Sequence, residues 1–216
     1  GLVGSEMCIR DSYNFAIKTN FYTGNNPALG IKMFPESSRT RVMMEGEFEK
    51  FFRSLEAEHS RDAKDFFMIA LLTGVRKTNI LEMKWKDINF TNTPPFWEIE
   101  KTKNGNSHVA VLIPVLVEIL KSRRKLQQEG NIKTDFVFYG SGKSGHIQDM
   151  KKAKERITQR AEIKDFRIHD IRRTIATYVS DGGANTLVVK DILGHANSDI
   201  TAVYARTKLK TKHTVL

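Results

Sequence analysis

Apolar residues recur along this chain in two rhythms, and the change between them divides it. Over 45–57, Phe48, Phe51, Phe52 and Leu55 fall three and four apart, and over 65–73 Phe66, Phe67, Ile69, Ala70, Leu71 and Leu72 keep that period. Two amphipathic helices are therefore expected to pack here. Gly74 is placed to stop the second, because helices commonly close on a left-handed residue and glycine adopts that conformation without a Cβ clash. A short helix over 77–83 leads into 85–90. The period then drops to two, with Trp97 and Ile99 on one side and Val109, Val111 and Ile113 after a break that holds Asn104-Gly105. That dipeptide accepts the positive φ of a tight turn, so the pattern predicts a β-hairpin. Helical spacing returns over 115–128 and 147–161, while 136–138 reads as a short buried strand. The last third reads as three short helices, over 169–180, 185–193 and 198–206, the middle one capped by Asn185 and stopped by Gly194. Together these elements make a mainly α fold with a small antiparallel β-sheet.

Neither rhythm reaches the N-terminal end. Residues 1–12, GLVGSEMCIRDS, share no periodicity with the rest of the chain and are similar to translated library-adaptor sequence, so they are set aside as non-native. Met7 is then no natural start, and the chain is expected to be a piece of a longer protein. Over 13–37 a brief apolar pattern through Phe15 and Ala16 reads as the end of a helix. Gly24, Asn25, Asn26, Pro27, Gly30 and Pro35 come after it without helical spacing, which is the composition of a connector. A compact domain is expected over 38–216.

Composition narrows the choice of partner. With 216 residues of which 40% are apolar, the chain can bury a substantial core. A net charge of +10 and a pI of 9.7 favour a polyanion. No stretch approaches the roughly 18 apolar residues of a membrane span, so nucleic acid is expected rather than a membrane. The lone Cys8 excludes a disulfide framework and a cysteine-ligated zinc site, and it fits a reducing cytoplasm. Six histidines lack HExxH spacing and no acidic cluster resembles a two-metal nuclease, so the sequence offers no clear metal set.

Four short stretches carry candidate chemistry. His169 and Arg172 lie about 60° apart on one helix at about 100° per residue, and the buried stripe Ile171, Ile175 and Val179 beside them sets the pair at the rim of the core. His195 follows Leu193-Gly194, and Tyr204 comes nine residues later on a segment that Asn197 or Ser198 can cap. Arg76 follows the turn Thr73-Gly74-Val75, where a rigid helix end would hold a guanidinium whose fork suits two phosphate oxygens; Glu82 is a carboxylate that can pair with it instead. Lys103 stands before Asn104-Gly105 at the hairpin tip, a mobile charge able to enter a groove and donate a proton, with Lys101 a competitor on the same strand face. Singly, each has an ordinary reading as a surface or helix-end residue. Their joint order and spacing carry the argument.

LLTGVRKTNILEMKWKDI with Arg76, the TKNG hairpin with Lys103, HDIRRT with His169 and Arg172, and LGHANSDITAVYA with His195 and Tyr204 resemble the catalytic domain of the tyrosine recombinases, or phage-type integrases, across about residues 37–210. Asn26-Pro27-Ala28 and the residues before it are similar to the end of that family's core-binding domain, so 13–37 would be its remnant plus linker. Two positions depart from the pattern: Asn79 stands where a supporting Glu or Asp is common, and Arg206 where a histidine is frequent.

The resemblance implies a site-specific recombinase that cleaves and rejoins double-stranded DNA through a 3′-phosphotyrosyl intermediate, without ATP or metal. Tyr204 would attack, Arg76 and Arg172 would bind the non-bridging oxygens, His195 would donate a further hydrogen bond, His169 would act as base, and Lys103 would protonate the leaving 5′ oxygen. The basic segments 121–125 and 151–160 would track the DNA backbone. Working assemblies would be homotetramers on two synapsed duplexes, helped by DNA-bending accessory proteins, with 208–216 (KLKTKHTVL) docking on a neighbour; this piece alone would be a monomer that binds DNA weakly. The location implied is the bacterial cytoplasm, at the nucleoid. Alternatives of the same fold are a type IB topoisomerase-like relaxing enzyme and a catalytically silent DNA-binding module.

Overall fold

A computed structural model of the chain describes residues 3–31, 39–99 and 108–182. These fall in two units, Gly1–Thr40 and Arg41–Leu216. The first is built on α1 (Val3–Lys18). The helix expected only over the residues from Tyr13 onward thus runs back through the stretch set aside as 1–12. After Lys18 the chain turns at Asn20, whose φ of 59° is one that asparagine tolerates better than most side chains. It then returns along the helix: Arg10 donates to the carbonyls of Ala28 (3.1 Å) and Ile31 (2.9 Å), and Asn26 Nδ2 donates to the Arg10 carbonyl (3.0 Å) and Asn14 Oδ1 (2.8 Å). Residues 26–31, which read as connector, are therefore bound to α1 by side-chain hydrogen bonds.

The second unit forms around α3 (Arg61–Thr73), which buries residues on nearly every side. Ser60 caps its start by accepting from the Ala63 N–H (3.3 Å), satisfying one of the amides that a helix N-terminus leaves unpaired. Against it pack α2 (Glu45–Glu56), α5 (Pro114–Glu129) and α7 (Ile168–Asp181), while α6 (Lys151–Arg160) packs on α2. Aromatic side chains tie the layers together. Phe51 of α2 meets Phe67 (5.6 Å between centroids) and Phe166 (5.5 Å), and Phe66 meets Phe67 (5.1 Å) and Phe138 (6.2 Å). Such pairs, all edge-on but the tilted Phe51–Phe166, add to the burial of large apolar surfaces.

After the short α4 (Lys77–Leu81) and a single 3-10 turn at Trp85–Asp87, a three-stranded antiparallel sheet follows in the order β1 (Ile88–Asn89), β2 (Phe96–Ile99), β3 (His108–Val111). The hairpin strands form as expected; the turn over 100–107 lies outside the described residues. One detail differs. Trp97 pairs with Ala110 and Ile99 with His108, and paired residues share a face, so β3 turns His108 and Ala110 inward and leaves Val109 and Val111 half-covered. Two further expectations change. Val137 and Phe138 are fully buried, but 136–138 is no strand: Phe136 makes an isolated bridge to Lys84, the next bridge falls just after it at Tyr139 to His146, and no continuous ladder forms. The helix expected from 147 begins at Lys151, because Ile147 donates its N–H to the Phe138 carbonyl (2.9 Å) and Met150 donates to Asp149 Oδ1 (2.7 Å). The helices expected over 185–193 and 198–206 lie outside the described residues.

Candidate active site

The cationic site begins at the end of α3. Gly74 closes the helix at φ 63°, returning its N–H to the Ala70 carbonyl (2.9 Å), which is the left-handed stop its position in the sequence predicts. Thr73 Oγ1 donates to the Ile69 carbonyl (2.6 Å) and accepts from the Val75 N–H (3.2 Å), so the turn is fixed from both sides. Arg76 emerges from it in an extended conformation as the N-cap of α4. No carboxylate, Glu82 included, pairs with Arg76 among the described residues.

Arg172 reaches this same turn from α7. It is buried to 7% exposure and its Nη1 donates to the Gly74 carbonyl at 2.7 Å. The second arginine thus grips the turn that carries the first, which ties its guanidinium to the backbone from which Arg76 emerges. The helix that holds Arg172 is itself tied down: Asp170 accepts from the Arg167 N–H (2.8 Å) in its first turn, and Thr174 Oγ1 accepts from the Met43 N–H (2.9 Å) while donating to the Asp170 carbonyl (2.7 Å).

Arg76, His169 and Arg172 line one cavity of about 450 Å³. Lys77, Lys151, Lys154 and Arg167 add cations to it, and Asp149 is the one carboxylate among the described residues of its lining. The first turns of α6 and α7 also open on it, so their positive dipole ends add to the field. Electrostatics register the crowding. Burial, then the charge of Arg76, lower Arg172 to about 10. Burial likewise lowers His169, helped by Arg173, Arg172 and Arg76 and opposed by Asp170. His169 is therefore neutral near pH 7, with a ring nitrogen able to accept a proton, beside two arginines that need an anion. Burial raises Asp149, but its hydrogen bond and charge contact with Lys77, together with backbone N–H donors, outweigh that and hold it below the usual carboxylate range.

Three of the six candidates are thus brought together, while Lys103, His195 and Tyr204 lie outside the described residues, as do Lys101 and Arg206. Asn79 does not face the arginines' cavity. It lines a neighbouring one of about 370 Å³ with Glu98 and His146. Sequence reading passed over Lys77, Asp149 and Arg167 as site residues. Lys77 had a signal, its place next to Arg76 on the same helix end, whereas Asp149 and Arg167 enter only through tertiary packing.

The basic segments divide by which charges the fold itself claims. Arg123, expected to face DNA, is a core residue: it donates to Asp65 (2.9 Å), Asp62 (2.7 Å) and the Val137 carbonyl (3.1 and 3.0 Å) and stacks 4.3 Å over Phe138. Arg156 and Arg160 pair with the buried carboxylate of Glu58 at 2.6 and 3.6 Å. Hence these arginines hold helices together, and Lys121, Lys151 and Lys152 remain exposed. No helix among the described residues is long and apolar enough to cross a membrane.

Comparison with known proteins places the chain in a family. The model of the phage integrase family matches residues 41–210. A tyrosine recombinase XerC-like protein of Caldanaerobacter subterraneus subsp. tengcongensis is 27% identical over 242 residues, covering 94% of this chain and 61% of that protein. Prophage integrase IntF of Escherichia coli is 24% identical, covering 82% of this chain and 38% of its own. The chain therefore spans between about two fifths and three fifths of these relatives' lengths. Among solved structures, the XerH recombinase bound to a palindromic difH substrate superposes with a TM-score of 0.64 at 23% identity, covering 89% of this chain and 58% of that one. A lambda integrase tetramer bound to a Holliday junction gives 0.60 at 16% identity, covering 90% and 58%.

Proposed function

Since this chain belongs to the phage integrase family, we propose that it is the catalytic part of a site-specific DNA recombinase, cutting and rejoining strands through a 3′-phosphotyrosyl intermediate. The observation that carries the proposal is the convergence of Arg76, His169 and Arg172 on one cationic cavity, with Arg172 bonded to the turn from which Arg76 emerges. A phosphodiester repels nucleophiles and gives up its alkoxide reluctantly. Two rigid guanidinium groups answer the first difficulty by binding the non-bridging oxygens and stabilising the added charge of the pentacovalent transition state.

Tyr204 Oη attacks phosphorus while the bond to the 5′ oxygen breaks. An unperturbed phenol ionises near pH 10, so it needs a base, and His169, held neutral by its burial and its cationic neighbours, accepts that proton. Lys103 protonates the departing 5′ oxygen, and His195 donates to a non-bridging oxygen. The products are a tyrosyl phosphodiester and a free 5′-hydroxyl. Attack by a 5′-hydroxyl on that phosphodiester reverses the step, so no ATP is consumed. In this reading the catalytic domain spans 38–216, 13–37 is the end of a DNA-clamping domain with its linker, and 1–12 is non-native. The functional form is a homotetramer on two duplexes, at the bacterial nucleoid. The relatives named above are recombinases and integrases, which favours strand exchange over topoisomerase-like relaxation.

Trapping tests the proposal. On nicked suicide duplexes carrying candidate attachment sites, the full-length gene product should form a denaturation-resistant protein–DNA adduct, and Tyr204→Phe should form none. Arg76→Ala or Arg172→Ala should slow adduct formation by about a hundredfold or more, the usual effect of losing a transition-state donor. No adduct on any site from the wild-type protein would sink the reading.

A further inference from the structure

Within a cavity lined by cations, the single carboxylate among the described residues calls for an explanation. Asp149 stands just before α6, and its Oδ1 lies 3.3 Å from Lys77 Nζ, which is on the residue adjoining Arg76. The pair is open to water, with side-chain exposures of 35% for Lys77 and 53% for Asp149, so it is held weakly and exchanges partners at little cost. Lys151 and Lys154 line the same cavity, and its volume of about 450 Å³ exceeds what one phosphate group fills. Room and charge are thus present for a second phosphate beside the one that Arg76 and Arg172 would hold. Asp149 is the group whose charge a phosphate there would meet.

We propose that Asp149 is an internal stand-in for a DNA phosphate: it neutralises Lys77 in the free protein and surrenders it to the phosphate flanking the scissile one when duplex DNA enters the cavity. This rests on the DNA-binding reading given above and adds a positioning role to it. Lys77 is the positioning residue, since a contact from the residue next to Arg76 fixes the register of the strand against that arginine. Asp149 sets how strongly the empty cavity attracts polyanions, because its charge must be separated from Lys77 before the new contact forms. The exchange is an ion-pair swap with no bond made or broken.

A double-mutant cycle on the 216-residue chain tests this, read as affinity for a fluorescent duplex of about 25 base pairs over a range of salt. Asp149→Asn should tighten binding by roughly three- to tenfold near 0.1 M salt with little change in the salt slope, because Lys77 meets the same phosphate in both proteins, whereas losing Lys77 should flatten the slope by about 0.9. Lys77→Met should weaken binding. The decisive arm is Asp149→Asn made in the Lys77→Met background, where the gain should shrink to less than about twofold because no cation is left to release. A gain that persists there would mean that Asp149 merely repels DNA, and would overturn the proposal. So would the absence of any gain in Asp149→Asn alone. If the wild-type chain itself fails to bind duplex DNA at low salt, the DNA-binding reading fails, an outcome distinct from both. Both side chains reach solvent, and unchanged thermal midpoints would show that the variants fold.

Discussion

Arg172 meets two demands that oppose each other. In the proposed mechanism its guanidinium must stay charged to hold a phosphate, yet it is buried beside a second arginine, and both conditions lower it to about 10. Its bond to the Gly74 carbonyl satisfies a buried acceptor. Arg172→Ala should therefore slow strand cleavage by about a hundredfold or more and also cost about 1–2 kcal/mol of stability by stranding that carbonyl, measurable by chemical denaturation. Lysine should not rescue cleavage, since a point charge cannot bond the carbonyl and clasp two phosphate oxygens at once. His169 offers a pH test. Its folded value lies below the usual 6.5, so the unfolded chain binds the proton more readily. Stability should fall as pH drops from above 6.5 to below the folded value, and His169→Gln should remove that component. By NMR, the imidazole should titrate below 6.5 in the free protein, and a bound duplex should move its midpoint upward.

At the scale of elements, the arginines that carboxylates claim should separate from the exposed lysines. Arg123 joins α5 to α3 and to the 137–138 segment, and removing it strands the Val137 carbonyl and leaves Asp65 only the longer contact to the half-exposed Arg61 at 3.6 Å. Arg123→Ala is expected to cost about 3–5 kcal/mol in a denaturation experiment, the range for breaking a buried ion pair. Lys121→Ala, fully on the surface, should stay within about 0.5 kcal/mol of wild type. This division was hidden in the sequence because the carboxylates that claim Arg123 lie 58 and 61 residues away from it. Local chemistry, by contrast, was readable. Gly74 announced a helix stop because that conformation suits glycine, and His169 and Arg172 announced a shared face because helical geometry needs no tertiary information. The inward face of β3 was not readable: a histidine there looks solvated, and only the pairing of Ile99 with His108 turns it toward the core. Nor was the late start of α6, which the bond from Ile147 to Phe138 imposes from outside the segment.

For the whole molecule, the charge of +10 becomes informative only when divided between groups that hold the fold and groups that face a ligand. Arg41, Arg123, Arg156 and Arg160 commit their charge to internal carboxylates. Lys151 and Lys154 of the cavity have no carboxylate partner among the described residues. DNA affinity should therefore follow the cavity rather than total charge: Lys151→Ala with Lys154→Ala should flatten the salt slope by about 1–2, at about 0.9 for each phosphate no longer neutralised. Arg53→Ala, which removes the same kind of charge from an exposed pair with Glu49 on α2, should leave the slope nearly unchanged.

The bond from Arg172 to Gly74 spans 98 residues of chain. It makes the end of α3 and the start of α7 one inheritance, since neither arginine keeps its aim if the other's support is exchanged. Chimeras that take one of these segments from a relative and leave the other behind should assemble a mismatched pair of jaws, however similar the four motifs look when aligned. Swapping both segments together should restore the grip.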